Sequence, residues 1–306
     1  MASGTATNRT NIELPTQVSS EILQKAQEQS AIMTLARKIA LPGWGLTIPV
    51  ITSDPEAEWV SETGVKPVKN PGLSKKVMQA YKLAVIVPFS EEFRRDTTQL
   101  YNALVSRLPL ALAQKFDATV FHGTAPGSNF DTLAGVTAQN LDSEDGTWKA
   151  LVDADMAIAN ANADLNGFVI SPTARGILLS ETDNQGRPLF VNSTAEGAVP
   201  VILGRRTVSS RAAYKAASGN TPAVVGFAGD WTQAMYGIVQ GMNVSVSDQA
   251  TLTVGTGNDQ TTINLWQQNM FAVRAEIEVG FRCDTNCFNR LTYASTGATG
   301  ATGATS

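Results

Sequence analysis

A chain of 306 residues has room for two domains at about 150 residues each and buries a substantial core, which excludes a disulfide-stapled miniprotein. Its 23 basic and 27 acidic residues leave a net charge of −4, so the basic footprint needed to wrap nucleic acid is missing. Charged residues make up only 16% against about 25% in an ordinary soluble domain, which suits a surface largely covered by neighbours. The first dozen residues are polar and read as an extended arm. After Pro15 a helical pattern runs over about 18–40, with Ile22, Ala26, Ile32, Leu35 and Ile39 forming a broken apolar face.

The next stretch separates its charges. From Asp54 to Glu62 the charged residues are Asp54, Glu56, Glu58 and Glu62; from Lys66 to Lys82 they are Lys66, Lys69, Lys75, Lys76 and Lys82. Pro67 and Asn70-Pro71-Gly72 supply turn chemistry between them, which predicts an extended hairpin over about 52–79. An isolated two-stranded hairpin is marginal in water, so something else is expected to hold it. Tyr81–Phe89 then reads as a strand with Leu83, Val85 and Val87 on one face and Ala84 and Ile86 on the other, both expected to be covered.

Asp96 and Thr97 are capping residues for a long helix over 98–122, whose packing face is Leu100, Leu104, Val105, Leu108, Leu112, Phe116 and Val120. Pro109 inside it predicts a kink, because its ring clashes with the preceding turn. His122 closes the helix as a cap or packing residue, where the helix dipole favours its cation. Past it, 148–164 is an Ala-rich helix, 167–170 a buried strand, and Ser171-Pro172 a capped helix start running to about Leu179. Residues 182–187 read as a turn, 201–203 and 224–227 as short strands, 242–247 as a half-exposed strand and 251–262 as a turn rich in Thr, Gly and Asn. Phe271, Val273, Ala275, Ile277 and Val279 alternate with Ala272, Arg274, Glu276 and Glu278, a clean period of two. Three Gly-Ala-Thr repeats lack proline and read as a flexible tail over 295–306.

Catalytic signatures are sparse. The single histidine, His122, has no Gly-x-Ser-x-Gly elbow to serve, so Ser-His-Asp and Cys-His hydrolysis is not expected. Cys283 and Cys287 have no second pair and no nearby histidine, so they read as two unbridged thiols in an extended segment and not as zinc ligands. Gly255-Thr256-Gly257 lacks the third glycine of a dinucleotide fingerprint, and no phosphate-binding Gly-x4-Gly-Lys motif occurs. No apolar run approaches the ~18 residues of a membrane span. Neither an N-terminal secretion signal nor any metal or cofactor is expected.

Several segments, in this order, resemble the major capsid protein of tailed double-stranded-DNA bacteriophages: Ala57-Glu58-Trp59-Val60-Ser61-Glu62-Thr63-Gly64, the strand 82–89 running into Ser90-Glu91-Glu92-Phe93, and the long helix ending Asp117-Ala118-Thr119-Val120-Phe121-His122-Gly123. Further on come Gly186-Arg187-Pro188-Leu189, Ile202-Leu203-Gly204-Arg205-Arg206-Thr207-Val208, and Gly229-Asp230-Trp231 before the strand 272–279. The resemblance covers about 15–293.

It implies an α+β capsid fold: an N-terminal arm over 1–30, a peripheral domain over 31–146 and 261–294 carrying the hairpin 52–79 and a spine helix 98–122, and an inserted α/β axial domain over 147–260. It also implies a non-enzymatic shell subunit that assembles as hexamers and pentamers around double-stranded DNA, contacting that DNA weakly. Portal and separate scaffolding or decoration proteins are the further partners, no membrane is involved, and assembly is expected in the host bacterial cytoplasm. The chain begins a few residues before the family core, which leaves scaffolding to a separate protein or makes it unnecessary. Glu58, Glu62, Lys66, Lys69, Lys75 and Lys76 are the expected charged contacts between subunits, with Trp59 as the apolar anchor. Some relatives crosslink a hairpin lysine to an asparagine; Lys66, Lys69 and Asn289 are present here, but no matching motif fixes them. A nanocompartment shell enclosing cargo enzymes is the alternative within the fold. A carboxylate-dependent hydrolase and a tail adhesin are the readings from other classes.

Overall fold

The computed structural model describes residues 30–43, 45–53, 58–60, 66, 68, 72–91, 97–143, 146–182, 201–239, 243–254 and 260–294. The expected arm, the helix over 18–29, the turn at 183–187 and the Gly-Ala-Thr tail lie outside them.

The long strand β14, Met270–Cys283, organises a five-stranded sheet. Along one side it pairs antiparallel with β4, Tyr81–Ser90, from Met270↔Ser90 to Val279↔Tyr81. Its other side is shared by β11, Asn243–Ser247, and β10, Ala234–Ile238, both antiparallel. The alternation read in the sequence is realised: Phe271, Val273, Ala275, Ile277 and Val279 are buried, while Arg274, Glu276 and Glu278 face outward. Leu108 and Leu112 of helix α2, Thr97–His122, cover that apolar face. At 26 residues the helix is a rod of about 39 Å.

A second, six-stranded sheet runs β5 (Thr137–Asn140), β15 (Phe288–Tyr293), β9 (Ala223–Gly229), β6 (Gly167–Ile170), β8 (Arg205–Ser209) and β7 (Val201–Ile202). Helices α3, Thr147–Asn160, and α4, Pro172–Ser180, lie on one face, burying Leu151, Ile158, Phe168, Leu178 and Val225. Ser171 caps α4, its Oγ accepting from the Ala174 amide at 3.1 Å, with Pro172 at the first helical position. The other face meets the C-terminal turns of α2, where Phe116, Val120 and Phe121 join Phe227, Trp231, Phe281 and Phe288 in one core. That core joins the two sheets. Strands from both sides of residue 147 enter the six-stranded sheet, and β10 and β11 return to the five-stranded one.

Four expectations need correction. Within the described part of the helix expected over 18–40, only Ala31–Leu35 is helical, as the short α1; Arg37–Ala40 is strand β1, parallel to β10. Its ladder of long-range hydrogen bonds outweighs a broken helical pattern, and Ala36 already has the extended φ −78°, ψ 154°. β4 is covered on one face only, since Lys82, Ala84 and Ile86 are exposed. The turn expected over 251–262 is flanked by a paired hairpin, β12 (Thr251–Val254) with β13 (Thr261–Asn264). Cys283 and Cys287 do not share an extended segment: Asp284 accepts from the Asn286 amide and bends the chain into a 3-10 turn at Thr285–Cys287.

Candidate assembly surfaces

The split-charge hairpin forms, and it begins earlier than expected: β2, Leu46–Ser53, pairs with β3, Gly72–Met78, from Leu46↔Met78 to Ser53↔Gly72. Its root is fastened into the five-stranded sheet. Met78 is fully buried, and Gly237 and Gly280 leave room for it; a Cβ at Gly280 would stand 2.7 Å from the Gln79 carbonyl oxygen and 3.1 Å from Met78 Cγ. The Arg282 guanidinium closes the joint. Nε donates to the Val77 carbonyl at 2.8 Å, Nη1 to Asp131 Oδ1 at 2.6 Å and Nη2 to Asn129 Oδ1 at 3.0 Å. Asp131 Oδ2 in turn accepts from the Cys283 amide at 3.2 Å. One buried cation thus ties hairpin, loop 128–131 and β14 together.

Lys76, expected as a contact between subunits, also has partners within its own chain: its Nζ donates to the Cys283 carbonyl at 2.9 Å and lies 3.9 Å from Asp131 Oδ2. The reason is position: two residues from the root, a lysine stem reaches the body of its own chain. Lys66 and Lys75 are exposed, as is Glu58, while Glu62 and Lys69 lie outside the described residues. Trp59 is fully exposed and Val68 is 89% exposed, so neither apolar side chain is covered within its own subunit.

Of the residues expected to pack on α2, Leu108, Leu112 and Phe116 are buried. The helix runs through 100, 104 and 109, but the side chains of Leu100 and Leu104 and the ring of Pro109, with its expected kink, lie outside the described residues. Directly after Phe116 the helix carries a carboxylate into the core. Asp117 is 1% exposed and accepts from Ser30 Oγ and from the backbone amides of Ala31 at 2.9 Å and Ile32 at 3.4 Å. Ser30 in turn caps α1, accepting from the Met33 amide at 3.1 Å. Burial pushes the Asp117 carboxyl up to about 6, against these hydrogen bonds and one with Ser210, which lower it. Nothing in the local sequence marks this residue; its spacing on the inner face of α2 was the only available signal.

His122 is a packing residue, with its ring 5.4 Å from Phe227, but the expected favoured cation is not found. Burial lowers its pKa, and Lys215 and Arg290 add to the lowering, against a hydrogen bond to the Ala213 backbone. Cys283 and Cys287 are unbridged and buried. Burial, helped by nearby Asp131 and Asp284, raises the Cys283 thiol far above its usual range, and burial raises Cys287 to about 11. Asn289 is 3% exposed and its Nδ2 donates to the Ala154 carbonyl at 3.2 Å, a structural role that leaves it unavailable to a crosslink.

The Gly229-Asp230-Trp231 motif is also structural. Asp230 Oδ1 accepts from the Thr232 amide at 3.0 Å and from Asn166 Nδ2, while Trp231 Nε1 donates to the Gly167 carbonyl at 3.0 Å. The motif locks the loop after β9 to β6. Among the described residues, no group of three or more His, Cys, Asp or Glu side chains is placed to hold a metal, and no helix is long and apolar enough to cross a membrane.

A family model described as the phage capsid family matches residues 11–283. A curated relative, the probable major capsid protein gp17 of Mycobacterium phage D29, is 30% identical over 286 residues, spanning 89% of this chain and 87% of its own. Among solved structures, a chain from Gordonia phage Cozz superposes with a TM-score of 0.68 at 22% identity, covering 87% of each chain. The capsid of an empty GTA particle computed with C5 symmetry gives 0.63 at 16% identity, covering 87% of this chain and 90% of that one.

Proposed function

The chain belongs to the phage capsid family, and from that premise we propose that it is the major shell subunit of a tailed phage, self-assembling into hexamers and pentamers that close an icosahedral shell around double-stranded DNA. The observation that carries this reading is the hairpin: clamped at its root by Arg282 and Met78, it presents Trp59 and Val68 with no cover in its own subunit. A pinned root and an uncovered far end suit a strap that reaches a neighbouring copy.

In this reading α2 is the spine of the peripheral domain and the five-stranded sheet its wall. The six-stranded sheet with α3 and α4 is the axial domain at the capsomer centre. Its limits are less clean than a simple insertion over 147–260, because β5 and β15 join it while β10 and β11 belong to the peripheral sheet. Glu58, Glu62, Lys66, Lys69 and Lys75 make the charged contacts of the hairpin with neighbours. A net charge of −4 releases few phosphate counterions, so the shell confines DNA by geometry and contacts it weakly. Portal protein and separate scaffolding or decoration proteins complete the particle, which assembles in the host cytoplasm. The phage origin of the family and relatives favours this reading over a nanocompartment shell. Sedimentation and electron microscopy of the purified protein test it: capsomers or closed shells are expected, and a well-folded monomer persisting at high concentration and moderate salt overturns it.

A further inference from the structure

Charge is divided between two ends of the six-stranded sheet. From residue 140 to 165 the chain has six acids and a single base, Lys149; from 201 to 222 it has four bases and no acid. The strand order β5-β15-β9-β6-β8-β7 separates the two segments, with α3 packed on β5, β15 and β9, and Arg205 and Arg206 exposed on β8 beside the far edge.

Helix α3 is apolar on two faces. Ala150, Leu151, Ala154 and Ile158 are buried against the sheet. On the other side, Trp148, Val152, Met156 and Ala159 follow a spacing of four, four and three, and Met156 is 58% exposed. A helix apolar on both faces is expected to be covered on both. At the far edge Val201 is 60% exposed and pairs with Arg206.

We propose, resting on the shell reading above, that the outer stripe of α3 with Asp155 docks on the β7–β8 edge of a second copy of this chain, head to tail. The partner is chosen by complementarity: on one surface an apolar stripe beside Asp155, with Asp153 already held by Lys149 of the same helix, and on the other the exposed Val201 across from Arg206, with Arg205 exposed next to it. Packing α3 against α3 instead offers Asp155 no base except Lys149, which Asp153 already holds. Because the two surfaces differ, every docked copy still offers one of each, and the contact propagates until rotation closes it into a ring.

The test is a cysteine pair, Met156→Cys with Val201→Cys, in the full chain. Under oxidation it forms a ladder of crosslinked species ending at a closed capsomer, while either single variant stays uncrosslinked. The native thiols give little background, since Cys283 and Cys287 are 2% and 5% exposed. In parallel, R205E with R206E raises the concentration needed for capsomer formation at least tenfold, and adding D155K lowers it again; circular dichroism checks that each variant is folded. Wild-type protein that forms capsomers while the cysteine pair gives no ladder overturns this docking and leaves the shell reading standing. Dimers from Met156→Cys alone overturn it in favour of a symmetric contact. Wild-type protein that never forms capsomers removes the shell reading and this docking with it.

Discussion

Asp117 and His122 sit five residues apart on one helix, and burial acts on them in opposite senses. The folded Asp117 carboxyl titrates near 6, above its ordinary 3.8, so the folded chain holds that proton more tightly than the unfolded one. The stability it lends is fully present below about pH 4 and is lost as pH rises through about 6. His122 is lowered from 6.5, so the unfolded chain binds the proton more tightly, and stability falls as pH drops below that value. Urea unfolding of the dissociated subunit between pH 4 and 8 is therefore expected to lose its low-pH component in Asp117→Asn and its opposing one in His122→Gln; unchanged profiles in both refute the assignment. At neutral pH Asp117→Ala leaves three buried donors without an acceptor and is expected to cost about 2 kcal/mol, read as a shift in urea midpoint. The cysteines give a second check at this scale. With both thiols raised by burial, Ellman's reagent at pH 8 is expected to find neither in the native protein and both after denaturation.

At the scale of elements, the hairpin depends on a joint that local sequence does not announce. Arg282 and Asp131 are 151 residues apart, and only the pairing of β14 with β4 brings the guanidinium under Val77. Arg282→Ala removes the close guanidinium partner of Asp131 and leaves only Lys76, 3.9 Å away, as its counter-charge; it is expected to destabilise the fold by about 3 kcal/mol, with limited proteolysis then cutting near the hairpin root. Arg282→Lys keeps the charge but cannot reach all three elements, so it is expected to lie between. Gly280→Ala, which drives a Cβ toward the Gln79 carbonyl, is expected to cost about 1–3 kcal/mol in the same assay. What was legible follows the same division. The faces of β14 and the span of α2 were readable because each has one buried face over many residues, which forces a clean period. The strands β5, β8 and β15 were not: Thr137–Asn140 and Arg205–Ser209 are polar and short, and become strands only through pairing with distant segments. The intrachain partners of Lys76 were hidden for a related reason, since composition reveals charge but not distance from the root.

For the whole molecule, the exposed Trp59 and Val68 and the pinned root of the hairpin make separable contributions. Trp59 has its full side chain in solvent, so removing it takes nothing from the subunit's own core. Trp59→Ala is expected to leave the unfolding free energy of the dissociated subunit within about 0.5 kcal/mol of wild type. In the shell the same indole is expected to be covered by a neighbour, where a buried aromatic anchor contributes about 2 kcal/mol or more per contact. The charged hairpin residues add only about 0.2–1 kcal/mol per exposed pair, a term screened by salt and repeated in every copy. Reversing Lys66 to Glu is thus expected to weaken assembly modestly and to flatten its salt dependence, whereas Trp59→Ala weakens it strongly at every ionic strength. Light-scattering assembly curves at 50 and 500 mM salt, run beside urea melts of the same variants, separate the two. A Trp59→Ala protein that melts early makes the indole part of its own subunit's packing, and one that assembles at wild-type concentration removes it as an anchor between copies.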